Sequence, residues 1–142
     1  MTDRLSAEAR SRIMRAIRNK NTKPELAVRK YLFKQGYRYR LHPKQLPGKP
    51  DLSFPSRKKA IFIHGCFWHQ HSAPDCPIRV VPSSNKKYWR PKLRRNVSRD
   101  RENAAHLRKL GWKSLVVWEC ELRDNTAKAR KRIKKFLGKR QT

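Results

Sequence analysis

The sequence predicts a single α/β domain in which a small mixed β-sheet is flanked by helices. Three observations predict it. Apolar, strand-like segments alternate with helical patterns in the order ααβββαβα. Two of the strands are joined by so tight a turn that an antiparallel hairpin is the simplest arrangement, while the last strand follows a helix, as a parallel strand requires. A chain of 142 residues is long enough for one modest core but not for two.

Taken in order, residues 1–21 are basic and helix-permissive, with Ser6 as N-cap. Ile13, Met14 and Ile17 make a short apolar stripe among Arg10, Arg12, Arg15 and Arg18. Such a helix either packs on the domain with a solvated charged face or contacts DNA. Residues 22–142 then form the core of the same folding domain. Thr22 and Glu25 have capping-box spacing, Pro24 is tolerated in the first turn, and Gly36 closes the second helix. Its expected apolar face is Leu26, Ala27, Tyr31 and Leu32. Tyr37–Leu41 alternates as a half-buried strand, and a turn-rich connection leads to strands over Asp51–Phe54 and Ala60–Ile63. Residues 72–83 carry three prolines and predict irregular structure. Ser84 caps a helix that Pro91 interrupts or restarts, and the helical pattern from Lys92 to Leu110 closes at Gly111. A β-branched strand over Lys113–Glu119 and a basic helix over Asn125–Leu137 complete the chain.

Charge dominates the composition. With 38 Lys+Arg against 10 Asp+Glu, the net charge is +28. Self-repulsion on that scale destabilises a compact chain unless a polyanion screens it, so nucleic acid is the leading partner. An anionic membrane surface fits less well, because no long apolar segment spans or anchors. The N-terminal MTDRLSAEARSR lacks the apolar region of a signal peptide, which predicts a cytosolic protein. Three cysteines, an odd number, favour a metal site or buried thiols over disulfides there.

The densest stretch is Ile61–His71, IFIHGCFWHQH, where a buried strand runs straight into three histidines, a thiol and two large rings. Cys66, His71 and Cys76 are evenly spaced, and Cys120 follows the last strand. One imidazole and three thiolates would complete a closed tetrahedral zinc site. His69 can substitute for His71 by geometry alone, and three unrelated buried cysteines are the alternative.

The same stretch suggests catalysis. Asp51 begins a strand after LPGKP, and the hairpin would bring it to the same end as His64. A carboxylate suits Mg²⁺, and a neutral imidazole nearby can accept a proton from attacking water. Together these suit metal-assisted phosphodiester hydrolysis. Glu25, the only other carboxylate between Glu8 and Asp51, is a candidate second oxygen donor, although Glu is ordinary in a capping box. Asp100, Glu102 and Asp124 look like helix-surface charges. Phe67, Trp68, Tyr88 and Trp89 sit in polar, irregular surroundings, where aromatics either cover a core edge or wedge into a duplex.

HGCFWHQH after an apolar strand, LPGKPD upstream, KKYW before a basic helix and GWKSLVVWEC near the end resemble the very short patch repair (Vsr) endonucleases. These are bacterial mismatch endonucleases with a core similar to the PD-(D/E)xK, restriction-endonuclease-like nucleases. The resemblance spans roughly Ser6 to Cys120. It implies a nick in duplex DNA 5′ of the thymine of a T·G mismatch left by 5-methylcytosine deamination. It further implies that Asp51, with the Ile63 backbone carbonyl, holds catalytic Mg²⁺. His69 would then be the general base, assisted by His64 and Glu25. Cys66, His71, Cys76 and Cys120 would hold structural Zn²⁺. Phe67, Trp68 and Trp89 match the family's major-groove wedge, Met14 its minor-groove counterpart, and Lys92 and Asn96 its readers of flanking base pairs. A monomer acting at the nucleoid, with mismatch-repair proteins as further partners, is the implied setting. The chain departs from the family at Ile63, where threonine is expected, in a longer His71–Cys76 loop, and at Pro91. No acid-x-Lys pair follows Asp51 on the next strand, so His64 and His69 would take over that work. A less selective structure-specific or restriction-type nuclease, and a non-catalytic zinc-stabilised DNA-binding protein, are the alternatives.

Overall fold

The computed structural model describes residues 22–66, 69, 71, 76 and 86–139, and these form a small mixed α/β domain around a four-stranded sheet of order β1-β2-β3-β4. The helix expected over residues 1–21, with Met14, lies outside the described residues, as do Phe67 and Trp68.

Helix α1 (Lys23–Lys34) starts where Thr22, in extended backbone, accepts a hydrogen bond from the Glu25 N–H at 3.4 Å. It ends before Gly36, whose φ of 89° is the left-handed value that closes a helix without a Cβ penalty. Its buried face is Glu25, Val28 and Leu32, spaced i, i+3, i+7. The expected face is thus corrected: Leu26 is 40% exposed, Ala27 is exposed and Tyr31 only half-buried. The helix is rotated so that a carboxylate points inward, which a hydrophobic stripe cannot reveal.

Strand β1 is only Arg40–Leu41, shorter than the alternating pattern from Tyr37 suggests. Tyr37 still enters the core, but its hydroxyl donates to the Gly138 carbonyl, and strand pairing begins three residues later. Strands β2 (Leu52–Phe54) and β3 (Lys59–His64) form the expected antiparallel hairpin, with Leu52 opposite Ile61.

Helix α2 (Lys86–Lys109) runs unbroken through Pro91, contrary to the expected interruption. Proline this close to a helix start removes one backbone bond, to the carbonyl four residues back. Burial of Trp89, Leu93 and Leu107 holds the helix against that loss. Tyr88 and Trp89 therefore sit on a helix, not in irregular chain. The helix supplies the crossover that lets β4 (Lys113–Trp118) lie parallel to β3, from Lys59 opposite Lys113 to His64 opposite Trp118. A short helix not expected from the sequence, α3 (Glu119–Asp124), turns the chain at once, with Glu119 and Glu121 in a first turn that favours negative charge. Helix α4 (Thr126–Leu137) then returns along the sheet.

Val28 and Leu32 of α1, Leu52, Phe54, Ile61 and Val117 of the sheet, and Ile133 and Leu137 of α4 form one core. The far end of the sheet is tied to α4 by Arg57, donating to the Leu137 carbonyl at 2.8 Å, and Lys59, donating to Phe136 at 2.6 Å. Cations there complement the helix C-terminus. No helix among the described residues is long and apolar enough to cross a membrane.

The corrected α1 face separates two neighbouring leucines. Leu32→Ala, at a fully buried position, should cost about 2–5 kcal/mol in denaturant unfolding. Leu26→Ala should stay within about 0.5 kcal/mol.

Candidate functional site

Parallel pairing of β3 with β4 makes both strands leave the sheet at the same end, so Gly65-Cys66 and Glu119-Cys120 emerge side by side. Cys66 N–H donates to Glu119 Oε1 at 3.3 Å, and Cys120 N–H to Cys66 Sγ at 3.4 Å. Three groups of possible ligands gather around this end: Glu25, His42 and Asp51; His64, His69 and Asp100; and Cys66, His71, Cys76 and Cys120. Within each, the donor atoms lie within 4.8 Å of one another.

In the first group, α1 delivers Glu25 and the hairpin delivers Asp51. Glu25 is 1% exposed and Asp51 8%. Asp51 Oδ2 accepts from the Ile63 N–H at 2.6 Å, which locks the carboxylate to β3. Glu25 Oε2 pairs with Arg29 Nη1 at 3.3 Å, and both Glu25 oxygens face His42 Nε2 at 3.1 and 3.0 Å. Burial pushes the Asp51 carboxyl up to about 8, the Ile63 N–H opposes that, and the neighbouring Glu25 adds to it. Two buried carboxylates this close favour a bound cation, and oxygen donors suit Mg²⁺. The loop before Asp51 is pinned by Gly48, at φ 78°; a Cβ there would stand 2.9 Å from the Asn103 Cβ of α2.

In the second group, the His64 and His69 rings stack, with centroids 3.8 Å apart and planes 7° from parallel. His64 also meets Phe62 and Trp118 edge-on. Burial lowers its pKa to about 3, the neighbouring His69 adds to this and Asp100 opposes it, so the imidazole is neutral at physiological pH. Its Nδ1 is buried without a hydrogen-bond partner among the described residues. His69 Nδ1 lies 2.6 Å from Asp100 Oδ2. An ionised carboxylate only accepts, so Nδ1 carries the hydrogen and Nε2 is left to accept a proton. Asp100 is thus no surface charge, as expected from sequence, but the partner of His69. Asp124, by contrast, is exposed and pairs with its neighbour Arg123.

In the third group, His71 Nδ1 stands 3.3 Å from Cys120 Sγ and 3.7 Å from Cys66 Sγ, and its ring stacks on Trp118. The structure thereby assembles His71, not His69, with the thiols. None of the three cysteines forms a disulfide. Burial pushes the Cys66 thiol up to about 12 and Cys120 upward as well. Three thiols and one imidazole are a donor set that zinc accepts, and binding would remove the thiol protons.

Trp89, Lys92, Asn96 and Asp100 follow one another at three- and four-residue steps along one face of α2. The base-reading positions suggested by resemblance thus run in line with the residue that holds His69. Trp89 is only 8% exposed and meets Tyr88 edge-on. Two functional candidates were missed in the sequence, His42 and Asp100. His42 lay hidden in a turn, although the chain has only five histidines; Asp100 was a rare acid in a strongly basic helix.

A family model described as DNA mismatch endonuclease Vsr matches residues 2–75, just over half of the chain. The type II nicking enzyme V.XorIIP of Xanthomonas oryzae pv. oryzae is 52% identical over 124 residues, 87% of this chain and 89% of that protein. The nicking enzyme V.NmeAIP of Neisseria meningitidis is 45% identical over 137 residues, covering 96% of this chain and 95% of the relative. The DNA mismatch endonuclease Vsr of Escherichia coli is 40% identical over 123 residues, covering 87% and 77%.

The raised Asp51 carboxyl gives a pH signature. Its stabilising contribution is fully present below its ordinary value of 3.8 and is lost as pH rises through about 8. In Mg²⁺-free buffer, Asp51→Asn should therefore melt higher than the parent at pH 8, and the gap should close toward pH 4. For a domain of this size each kcal/mol corresponds to roughly 2–4 °C. A gap of constant size across this range would disprove the assignment.

Proposed function

From the premise that this chain belongs to the Vsr family of DNA mismatch endonucleases, we propose that it nicks duplex DNA 5′ of the thymine in a T·G mismatch. The observation that carries this reading is the meeting of the Glu25–Asp51 carboxylates with the His64–His69–Asp100 cluster at one end of β3. Relatives described as nicking enzymes support a single-strand cut.

In this reading Asp51 and the Ile63 carbonyl would hold Mg²⁺, with Glu25 beside them. A divalent cation held there would supply Lewis-acid stabilisation of the charge that develops as the phosphodiester is cut. His69 Nε2 takes the proton from attacking water while Asp100 fixes its tautomer and orientation. His64, kept neutral by burial, offers a hydrogen bond to the scissile phosphate without adding a charge that must be desolvated. Residues Cys66, His71, Cys76 and Cys120 would hold Zn²⁺ in a structural role.

Phe67 and Trp68 act as wedges beside the mismatch, with Met14 on the opposite groove. Trp89 joins them only if the first turns of α2 open, because it is buried in the DNA-free chain. Lys92 and Asn96 read neighbouring base edges. A wobble pair unstacks at lower cost than a matched one, so deformability contributes to selectivity. The protein is inferred to act as a monomer on DNA in the cytoplasm, with mismatch-repair proteins as candidate partners.

The deciding experiment is a Mg²⁺-dependent nicking assay on labelled duplexes, one with T·G and one with C·G. A single nick 5′ to the mismatched thymine, lost in Asp51→Ala with binding retained, is the expected result. Cleavage of both duplexes would point to a less selective nuclease. Binding with no Mg²⁺-dependent product would point to a non-catalytic DNA-binding protein. Asp100→Ala should reduce the single-turnover nicking rate by roughly 10²-fold or more, the scale of a general-base contribution. An unchanged rate would remove Asp100 from the mechanism.

A further inference from the structure

His42 is the least expected member of the site. It follows β1 at the start of a turn-rich connection, and its backbone is left-handed, with φ 47°. A non-glycine residue in that region carries strain that the surroundings must offset, and such residues concentrate where function needs them. Here two contacts hold it. Its backbone N–H donates to the Asp51 carbonyl at 3.1 Å, and its ring Nε2 reaches both oxygens of Glu25.

We propose that His42 is a positioning residue that fixes the Glu25 carboxylate opposite Asp51, so that both acids present oxygens to one divalent cation and its water. Glu25 is 1% exposed, so solvent cannot hold its oxygens in place. Arg29 reaches one oxygen from the same helix, four residues on. That contact supplies charge but does not fix rotation about the carboxylate. His42 comes from a different element, faces both oxygens, and is itself tied to the Asp51 backbone. A shift of the Asp51 strand is therefore transmitted to Glu25 through one residue. The His42 side chain is 20% exposed and belongs to no part of the apolar core, so filling space does not explain it.

The inference rests on the reading of Glu25 and Asp51 as the metal-and-water site, and its test keeps the two apart. His42→Ala and His42→Gln are made alone and in a Glu25→Ala background, and each is assayed for nicking of the T·G duplex. Each is also titrated with Mn²⁺, which prefers oxygen ligands, by calorimetry without DNA. Loss of a residue that orients a ligand typically costs 10–100-fold in affinity or activity. His42→Ala should therefore lower kcat by about that factor, weaken Mn²⁺ binding about tenfold, and leave KM for the duplex nearly unchanged. His42→Gln should recover most of both, because its side-chain amide nitrogen stands close to where Nε2 stood. In the Glu25→Ala background neither His42 substitution should change either quantity further. Equal losses from His42→Ala with and without Glu25, or a glutamine variant that folds and is as impaired as the alanine variant, would overturn the inference. If Asp51→Ala still nicks, the underlying functional reading fails; if it is inactive while both His42 variants match the parent, only the role of His42 fails.

Discussion

The parallel pairing of β3 with β4 is the constraint on which the rest of this molecule depends. Six residue pairs from Lys59–Lys113 to His64–Trp118 bring the chain together across the long α2 crossover. Closing so long a loop carries an entropic cost that burial of Ile61 and Val117 in the core helps to offset. What the pairing produces is coincidence at one end. Cys66 and Cys120, 54 residues apart, come within a hydrogen bond of one another. Trp118 becomes a shared wall, with His64 edge-on against it and His71 stacked on it. One register therefore organises both the thiol cluster and the histidine cluster.

Charge is distributed with the same economy. In a chain of net charge +28 most carboxylates could be spent on surface ion pairs, yet among the described residues Glu25, Asp51 and Asp100 sit in the candidate ligand groups. Burial, with Glu25 close by, disfavours the ionisation of Asp51, an arrangement that works against the metal-free fold and suits a cation. Asp100 stands instead beside an imidazole, with its Oδ2 2.6 Å from His69 Nδ1. The exposed cations of α4 lie outside this arrangement. Such a solvated basic surface suits non-specific phosphate contact.

The backbone plan was largely legible because it depends on local pattern. Turn residues at 55–58 announced the hairpin, and a helix before Lys113–Trp118 announced a parallel strand. Where local pattern misled, a partner distant in sequence was responsible. Capping-box spacing at Thr22 and Glu25 was correct for the backbone bond, but the Glu25 side chain answers to His42 and Asp51, so the helix turns its apolar face by a residue. Pro91 looked like a break because its cost is local, whereas the burial of Trp89, Leu93 and Leu107 that offsets it is not.

The sequence by itself determined the class of fold, the net charge that points to a polyanion, and the stretch from Ile61 to His71 as the richest in candidate ligands. Residue types at the end of an apolar strand carry that information without knowing where the chain goes next. The resemblance pointed to His71 among the thiols, but only the tertiary structure brought that ring up to Cys120, paired Asp100 with His69 and set His42 against Glu25. These are contacts across 49, 31 and 17 residues. No periodicity reports such separations; they exist only once the packing of α1 and α2 on the sheet has set the distances.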